Sequence, residues 1–304
     1  MSETETETAK RCGLVAVVGA PNVGKSTLVN RLVGSKVSIV SPRVQTTRTR
    51  IMGIAMQGQT QIVFVDTPGI FVPKRRLERA MVRAAWDVAG DGDEIVFVID
   101  ALRGLDDPTR AVAEKLIGQG AKPYPVINKI DAVKRDSLLG LAAAIAEMGL
   151  DQRVFMVSAL AGDGTADLLG FLAARLPEAQ WLFPEDQISD MSSRLWAAEI
   201  TREQVFLQLH DELPHAAAVA TESWQEQPDG SVRIEQIIFV QREGQKGIVV
   251  GAGGKRVKEI GSRARFELEK HLERRVHLFL QVKVDPRWAD DRGQFKALGL
   301  DYDA

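Results

Sequence analysis

Residues 14–34 read LVAVVGAPNVGKSTLVNRLVG and contain the most informative pattern of the chain. They begin with a short apolar run, 14–19, which predicts a buried strand, and they end in a helical pattern that stops at Gly34. Between the two, GAPNVGKST (19–27) matches G-x-x-x-x-G-K-[ST], a glycine-rich loop whose backbone N–H groups wrap phosphates at a helix N-terminus. The stretch therefore predicts a strand, a phosphate-binding loop and a helix, in that order.

The side chains of this loop have separate expected tasks. Lys25 would reach the β- and γ-phosphates of a nucleotide, and Ser26 would offer its hydroxyl to Mg²⁺. The glycines keep Cβ atoms out of the path of the phosphates. The predicted nucleotide-contacting residues of the loop are Gly19, Ala20, Pro21, Asn22, Val23, Gly24, Lys25, Ser26 and Thr27.

Apolar strands and helical patterns continue to alternate through the first half of the chain. The further strands are predicted as a hairpin at 51–66 and as single strands at 94–100, 123–128 and 153–159. The helical patterns between them lie near 75–90, 108–118, 136–148 and 165–176. This alternation indicates an α/β fold with a mainly parallel sheet and helices on both faces.

The bulk composition excludes several classes of protein. The chain has 304 residues, 45% of them hydrophobic and 26% charged, which is typical of a soluble globular protein of about two domains. Cys12 is the only cysteine, so neither an internal disulfide nor a multi-cysteine metal site can form. The start, MSETETETAKR, lacks the apolar segment of a secretory signal, and the apolar runs are too short to predict a membrane span. The formal net charge of −2 does not by itself point to a nucleic-acid partner.

The pattern changes near 177–194, PEAQWLFPEDQISDMSSR, which has two prolines and no sustained period. Beyond it we predict a helix at 195–213, strands near 216–222 and 231–241, a basic helix near 255–272 and a strand at 275–284. The predicted organisation is a disordered acidic tail at 1–10, an α/β domain at 11–178, a linker at 179–194, a smaller α+β domain at 195–290 and a C-terminal tail at 291–304.

The turn in VFVDTPGIF (63–71) supplies a second phosphate-contacting segment. Asp66 ends a predicted strand beside the phosphate loop, where a carboxylate can hold Mg²⁺ directly or through water. Gly69 leaves its backbone N–H open to a γ-phosphate. The motif D-T-P-G alone could be any turn. Its distance from Lys25 and its position at a strand end are what indicate a phosphate-contacting segment.

Two later motifs point to guanine as the base. NKID (128–131) ends an apolar strand, and the Asp131 carboxylate can accept both the N1–H and N2–H₂ donors of guanine. Asn128 would brace the loop, the stem of Lys129 would cover the base, and the Ala159 N–H would contact guanine O6. The residues of the second motif, SAL, are Ser158, Ala159 and Leu160. We therefore expect GTP, and not ATP, as the nucleotide.

These motifs, in this order, resemble the translation-factor-like class of P-loop GTPases. The resemblance implies a threonine Mg²⁺ ligand in VQTTRTR (44–50), for which Thr47 is the first choice and Thr46 the second. The predicted metal ligands are Ser26, Thr47 and Asp66, and the predicted catalytic residues are Lys25, Thr47 and Gly69. Arg48 and Arg50 are expected to be solvated or to bind a partner, so neither is assigned as an arginine finger.

Ile70 follows the glycine of D-T-P-G, where Ras and Gα carry a water-orienting glutamine. This apolar replacement resembles the GTPase subgroup that includes Era and the tRNA-modification GTPases. The resemblance implies slow intrinsic hydrolysis that depends on another residue or on K⁺. Asn22 matches the asparagine that holds K⁺ in that subgroup, and the alternative, that it only stabilises the turn, stays open.

The second half carries a basic segment around a G-x-x-G loop. The order helix, strand, strand, short helix, G-x-x-G, basic helix, strand resembles a type II KH domain, whose glycine loop approaches the phosphates of about four single-stranded nucleotides. The predicted RNA-binding residues are Gly251, Ala252, Gly253, Gly254, Lys255, Arg256, Lys258, Ile248 and Val250. Val249, Val257 and Ile260 are further candidates for the apolar groove, shared with the core. Ala252 and Gly253 bring no charge to the loop, so we expect Lys255 and Arg256 to contact phosphates.

A single P-loop GTPase domain, Ile70 and a C-terminal KH domain together resemble the Era family of ribosome-assembly GTPases over about residues 10–290, with QTTR (45–48) and DQISD (186–190) as further matches. The resemblance implies GTP-dependent binding to the small ribosomal subunit near the 3′ end of its rRNA, and a monomeric cytoplasmic protein with peripheral contact at the cytoplasmic membrane face. Two alternatives remain at this point. One is a binding module in which the nucleotide is only a structural ligand, and the other is a GTPase whose KH-like domain contacts protein or membrane.

Overall fold

The computed structural model describes residues 9–43, 46–73, 75–209, 213 and 216–303. The chain divides into two compact units. The first unit consists of Met1–Ser38 and Thr47–Asp190, and the second consists of Ile39–Thr46 and Met191–Ala304. The short segment 39–46 therefore belongs to the unit formed mainly by the C-terminal part of the chain.

The first unit is an α/β layered structure around a six-stranded sheet of order β2-β3-β1-β4-β5-β6. Its strands are β1 (Arg11–Val18), β2 (Ile51–Gln57), β3 (Thr60–Asp66), β4 (Glu94–Asp100), β5 (Tyr124–Asn128) and β6 (Phe155–Met156). Its helices are α1 (Lys25–Val33), α2 (Arg76–Asp91), α3 (Asp107–Gly118), α4 (Arg135–Glu147) and α5 (Thr165–Arg175). Among these described strands, β2 alone runs antiparallel to its neighbour.

The central strands are apolar over most of their length because both faces of the sheet are covered. On β1, Val15 and Val17 face one buried cluster, together with Leu28 of α1. Val18 faces the opposite cluster, together with Ala85 of α2. These two clusters hold the carboxyl ends of the parallel strands in place, and the nucleotide motifs follow those ends.

Residues 179–190, part of the predicted linker, pack within the first unit along β2. The Ile54 N–H donates to the carbonyl of Ile188 at 2.9 Å, and Gly53 forms an isolated antiparallel bridge with Ser189. An edge strand exposes unpaired backbone groups, and this segment satisfies some of those on β2. The segment thus lengthens the first unit to Asp190.

The second unit has a three-stranded sheet of order β7-β8-β9 with helices α6 and α8 packed together. Its elements are α6 (Ser193–Gln208), β7 (Ala218–Glu226), β8 (Val232–Val240), α7 (Glu243–Val250), α8 (Lys255–Leu272), β9 (Val276–Val284) and α9 (Arg292–Ala297). Strands β7 and β8 are antiparallel, whereas β8 and β9 are parallel. The order of α6 to β9 is the one predicted for a type II KH domain.

Several boundaries differ from the sequence predictions. The strand predicted at 153–159 has only two residues, because the chain turns at Ser158, whose N–H donates to the Asp163 carbonyl at 3.0 Å. The predicted C-terminal tail contains α9, and Phe295 within it is 1% exposed. Residues 1–8 of the predicted acidic tail lie outside the described residues, whereas the Lys10 carbonyl accepts the Ala179 N–H at 3.1 Å.

Among the helices of the described residues, none combines the length and apolar character that crossing a bilayer requires.

Candidate nucleotide site and RNA-binding loop

The loop between β1 and α1 has the backbone that a phosphate cradle needs. Gly19 and Gly24 have φ values of 154° and 96°, and a Cβ at Gly19 would lie 2.6 Å from the Val98 carbonyl oxygen. A Cβ at Gly24 would collide with the side-chain amide of Asn128. Asn22 also has a positive φ, 65°, which asparagine tolerates better than most residues. The glycines of the loop are therefore required by its conformation, apart from any ligand.

Lys25 is buried within this loop. Its Nζ donates to the carbonyls of Gly19 and Ala20 at 3.2 and 3.0 Å. Burial lowers the pKa of Lys25 to about 8, and the nearby Asp66 charge opposes part of that shift. The ammonium is thus held at the phosphate loop by neutral carbonyl oxygens, in a place where phosphate oxygens would stabilise its charge far better.

Ser26, Thr47 and Asp66 converge on one point. The Ser26 Oγ donates to Asp66 Oδ2 at 2.7 Å, and it lies 2.9 Å from the Thr47 Oγ1. The Thr47 Oγ1 donates to the same Asp66 oxygen at 3.4 Å. The three predicted metal ligands, from three separate segments of the chain, are therefore in mutual contact.

Asp66 itself has the character of a cation ligand. Its carboxylate is fully buried, and Oδ1 has no hydrogen-bond partner among the described residues. Desolvation raises the pKa of Asp66, although the hydroxyl of Ser26 and the charge of Lys25 act in the opposite direction. A hard divalent cation prefers such oxygen ligands, so the set fits Mg²⁺.

The structure separates the two candidate threonines. Thr46 Oγ1 donates to the Arg43 carbonyl at 2.7 Å, within the segment of the second unit, whereas Thr47 belongs to the first unit.

Arg48 is 3% exposed, so the expectation of a solvated side chain there is wrong, while Arg50 is exposed as expected. Gln45 lies outside the described residues.

The turn after Asp66 packs against the phosphate loop. A Cβ on Gly69 would lie 2.9 Å from the Pro21 Cα, so a side chain at this position would push the two loops apart. The Ile70 N–H donates to the Gly19 carbonyl at 3.1 Å. The side chain of Ile70 is 7% exposed and belongs to the cluster with Val18 and Ala85. Ile70 therefore contributes to packing, and its side chain points into the core.

Asn128 connects three loops of the base-binding region. Its Nδ2 donates to the Val23 carbonyl, and its Oδ1 accepts the Ala159 N–H, both at 3.0 Å. The Ala159 N–H predicted for guanine O6 is thus shared with Asn128. Lys129 Nζ donates to the Asn22 carbonyl at 2.8 Å, which places its stem along the phosphate loop. Asp131 lies exposed in a 3₁₀ turn, Ile130–Ala132.

Asp100 and Arg31 also act in this region, and sequence reasoning missed both. Asp100 is 3% exposed at the end of β4, and its Oδ2 lies 2.6 Å from Lys129 Nζ. Arg31 Nε donates to the Ala159 carbonyl at 3.1 Å and its Nη2 to the Leu160 carbonyl. The signal for Asp100 was present, because this acid ends an apolar strand in EIVFVID (94–100) just as Asp66 does. Arg31 gave no such signal, because its partners are distant backbone carbonyls.

A cavity of about 300 Å³ adjoins the SAL segment, one of the two segments predicted to bind the base. Its lining residues are Thr27, Asn30, Arg31, Gly34, Ser35, Lys36, Ala159 and Leu160. It therefore runs along α1 and past its C-terminal end, beside the SAL segment.

The G-x-x-G loop of the second unit has the predicted glycine geometry. Gly251, Gly253 and Gly254 have φ values of 72°, 57° and 77°. A Cβ on Gly251 would lie 2.8 Å from the Cβ of Arg256, so the backbone approaches the next helix closely there. Ala252 is exposed, and Gly254 directly precedes α8. The loop presents bare backbone at the start of a basic helix.

The side chains around this loop divide between surface and core. Lys255 and Lys258 are exposed, Arg256 is half-buried, and Ile248 is 50% exposed. Val249 and Ile260 are fully buried core residues, whereas Val250 and Val257 pack partly against that core. Ile248 is thus the most accessible of the five apolar groove candidates.

Comparison with known proteins identifies both modules. Residues 14–129 match the family described as "50S ribosome-binding GTPase", and residues 212–289 match the KH domain family. GTPase Era of Rhizobium meliloti (strain 1021) is 53% identical over 99% of this chain and 98% of its own length. GTPase Era of Caulobacter vibrioides (strain NA1000 / CB15N) is 50% identical over 99% of each chain.

The chain belongs to the Era family of GTPases. Two solved Era structures, each 40% identical with a TM-score of 0.90, cover 95% of this chain and 99% of their own. One is a single-substitution variant of Aquifex aeolicus Era bound to GDP·AlF₄⁻, and the other is Era in complex with MgGDPNP and nucleotides 1506–1542 of 16S ribosomal RNA. Membership in the Era family confirms the predicted fold class and the GTP-hydrolysing activity.

Proposed function

We propose that this Era-family protein is a slow GTP-driven switch that binds single-stranded rRNA at the 3′ end of the small-subunit RNA and assists assembly of the small ribosomal subunit. The observation that supports this most directly is the presence, in one chain, of the Ser26–Thr47–Asp66 cluster beside a phosphate loop and of a bare G-x-x-G loop on a basic helix. A related Era bound to 16S rRNA nucleotides gives the RNA class.

The residues of the site suggest how the chain treats GTP. Lys25 would move from the carbonyls of Gly19 and Ala20 to the β- and γ-phosphates. Ser26, Thr47 and Asp66 would hold Mg²⁺, which when bound neutralises charge on the phosphate oxygens. The Gly69 N–H would donate to the γ-phosphate, as its contact with Pro21 brings it beside the loop. Lys25, Thr47 and Gly69 are thus the proposed catalytic residues.

Base recognition completes the site. The Asp131 carboxylate would accept the two guanine donors, and the Lys129 stem, held by Asp100 and the Asn22 carbonyl, would cover the base. Asn128 fixes the distance between the phosphate loop and the SAL segment. Because the contacts of Lys129 and Asn128 with their neighbours already exist within the chain, this part of the proposed site is preformed.

The dependence on K⁺ remains a proposal about Asn22. Asn22 adopts the positive φ that the turn requires, and its side chain is exposed in the phosphate loop. If Asn22 helps to hold K⁺, the wild type turns over faster in K⁺ than in Na⁺, and Asn22→Gly reduces that difference. Equal turnover in the two salts would leave turn geometry as the only reason for Asn22.

Nucleotide state would reach the KH domain through the segment 39–46. Within the second unit, the Val40 N–H donates to Glu203 Oε1 at 2.8 Å, and Arg43 donates to the carbonyls of Phe206 and Leu209 at 3.0 and 2.7 Å. The segment is thereby tied to helix α6, and the next residue, Thr47, belongs to the metal cluster. A γ-phosphate that orders Thr47 would therefore act on α6 through the chain itself.

Two measurements on the full chain test this function. Multiple-turnover phosphate release from GTP with Mg²⁺ should occur, and its absence would favour a purely structural nucleotide. RNA of nucleotides 1506–1542 of 16S rRNA should crosslink to residues 251–258, and Ala252→Asp should abolish this crosslink through charge repulsion. Lys25→Ala should remove GTP binding and weaken the crosslink without abolishing it, which separates loss of the nucleotide from loss of the RNA-binding loop. Crosslinks confined to other residues would contradict the KH assignment.

The location and the assembly state are further proposals. We propose a cytoplasmic monomer, consistent with an rRNA partner, and light scattering at several concentrations tests the monomer. Peripheral contact with the cytoplasmic membrane face rests on the family resemblance, and flotation with liposomes tests it.

A further inference from the structure

Helix α2 carries a concentrated positive charge on its outer side. Between residues 75 and 83 there are four arginines and one glutamate, although the whole chain has a net charge of −2. The arginines are Arg75, Arg76, Arg79 and Arg83, and all four are exposed. Residues three and four apart lie on one side of a helix, so Arg76, Arg79 and Arg83 form one stripe. We call these three residues the α2 arginine stripe.

The packing of α2 does not require this stripe. Met81, Ala85, Val88 and Ala89 form the buried side of the helix, and Ala80, which is also buried, lies between that side and the stripe. Ala85 and Ala89 belong to the apolar cluster beneath the sheet. The stripe lies on the other side, where any polar residue of good helix propensity would serve.

The stripe also opposes the electrostatics of the helix. A helix N-terminus carries partial positive charge and favours acids, whereas the C-terminus favours bases. Here Arg75 and Arg76 lie at the start of α2, and Asp87 and Asp91 lie toward its end. Glu78, whose carboxylate accepts the Arg75 N–H at 3.1 Å, places one favourable negative charge in the first turn. It offsets the unfavourable positive charge of the arginines only in part. Charges placed against a local stability rule are typical of functional surfaces.

The position of the stripe connects it to the nucleotide site. Helix α2 begins shortly after the turn that contains Gly69 and Ile70, and Ile70 packs in the same cluster as Ala85 of α2. A change at Gly69 on binding a γ-phosphate would therefore act on this helix through the packing of Ile70.

We propose that the α2 arginine stripe binds the phosphate backbone of RNA, as a second contact in addition to the KH loop. Guanidinium groups match phosphate oxygens bidentately, and the rise of about 1.5 Å per residue spreads Arg76 to Arg83 over about 10 Å, enough for two or three phosphates. The inference rests on the proposed function, because it takes the RNA partner from the KH assignment. An acidic protein surface is the competing partner, and RNA is favoured because the chain already carries an RNA-binding module.

Binding of two RNAs to the full chain with Mg²⁺ and a non-hydrolysable GTP analogue tests this contact. The long probe is nucleotides 1506–1542 of 16S rRNA, and the short probe is a single strand of about six nucleotides from its 3′ end, long enough for a four-nucleotide KH cleft. For the variant Arg76→Gln/Arg79→Gln/Arg83→Gln, we expect about tenfold or greater loss of affinity for the long probe and no change for the short one. The salt slope for the long probe should fall by about two.

A matched variant controls for net charge. Lys122→Gln/Lys134→Gln/Arg135→Gln removes the same number of exposed positive charges from the first unit and should bind both probes like the wild type. GTP affinity and thermal unfolding should be unchanged in the stripe variant. Equal binding of the long probe by the stripe variant and the wild type overturns the inference and favours a protein partner for α2. Failure of the wild type to bind either probe would instead overturn the proposed RNA-binding function.

Discussion

Lys25 illustrates how burial prepares a single charge for its ligand. Its ammonium is surrounded by carbonyl oxygens in a closed loop, and its pKa is lowered to about 8 mainly by desolvation. Phosphate oxygens would replace those carbonyls with negatively charged acceptors and would restore the preference for the charged form. Nucleotide binding is therefore expected to be coupled to protonation of this side chain.

This coupling predicts the pH dependence of binding. Because the nucleotide needs protonated Lys25, affinity for Mg·GDP should be nearly constant below about pH 7 and should fall as the pH rises through about 8. Isothermal titration calorimetry in buffers of different ionisation enthalpy should detect proton uptake near pH 8. In Lys25→Arg the affinity should be lower, but this decline should be lost. An affinity that does not change between about pH 7 and 9 in the wild type would contradict the argument.

Ile70 leads to a prediction that introducing the glutamine of Ras and Gα at this position does not increase GTP turnover. Its side chain packs against Val18 and Ala85, so Ile70→Gln would place an amide in an apolar cluster. Burying such a group without partners costs about 1–3 kcal/mol. We expect a lower melting temperature and no gain in GTP turnover, measured by thermal unfolding and phosphate release. The variant Ile70→Val keeps the apolar character and serves as control; a faster Ile70→Gln would mean that this side chain can reach the water.

At the scale of elements, the C-terminal end of helix α6 is capped by a side chain from the segment 39–46. Arg43 donates to the carbonyls of Phe206 and Leu209, which lie where helical carbonyls lack partners within the helix. Arg202 donates to the Thr46 carbonyl and pairs with Glu199, and both side chains are buried. The loop 39–46 is therefore an integral part of the packing around α6.

We predict that Arg43→Ala weakens communication between nucleotide and RNA. In the wild type, RNA should bind more tightly with a non-hydrolysable GTP analogue than with GDP, and in the variant the ratio of the two affinities should approach one. Affinity for GTP itself should change little. Arg194→Ala is the matched control, because Arg194 also donates to a backbone carbonyl of the second unit, that of Glu222 at 2.8 Å. An unchanged ratio in Arg43→Ala would exclude this route.

Sequence patterns were most informative where a motif ends an element. The phosphate loop, Asp66 and Asn128 each lie at the end of an apolar run. The pattern of apolar residues alone locates such runs. The same reasoning could have found Asp100. It could not have found Arg31 or Arg43, whose partners are backbone carbonyls more than a hundred residues away. Nor could it assign residues 39–46 to the second unit, because that grouping depends on tertiary contacts such as Ile39 with Trp196.

At the scale of the whole molecule, the two units are not consecutive stretches of chain. The path leaves the first unit after Ser38, contributes eight residues to the second, and returns at Thr47. Ile39 is fully buried in the cluster of Trp196, Ala197 and Ile200. No single cut in the chain therefore yields both units complete.

We expect a fragment of residues 191–304 to unfold at a lower temperature than the same unit in the full chain, because it lacks the apolar contacts of Ile39. Adding a synthetic peptide of residues 36–48 should raise the melting temperature of the fragment, measured by circular dichroism. The same peptide with Ile39→Asp should have no effect. Equal stability of fragment and full chain would mean that residues 39–46 contribute little to the second unit.

The discontinuity of the second unit in the chain has a consequence for recombination of the gene. Recombination at one point in the gene could not give the C-terminal unit to another protein intact, because part of its packing is encoded between the phosphate loop and Asp66. The two modules would have to be exchanged together or rebuilt together. A mutation at Ile39 would disturb the packing of the unit that carries the glycine loop, although its codon lies between those of the phosphate loop and Asp66.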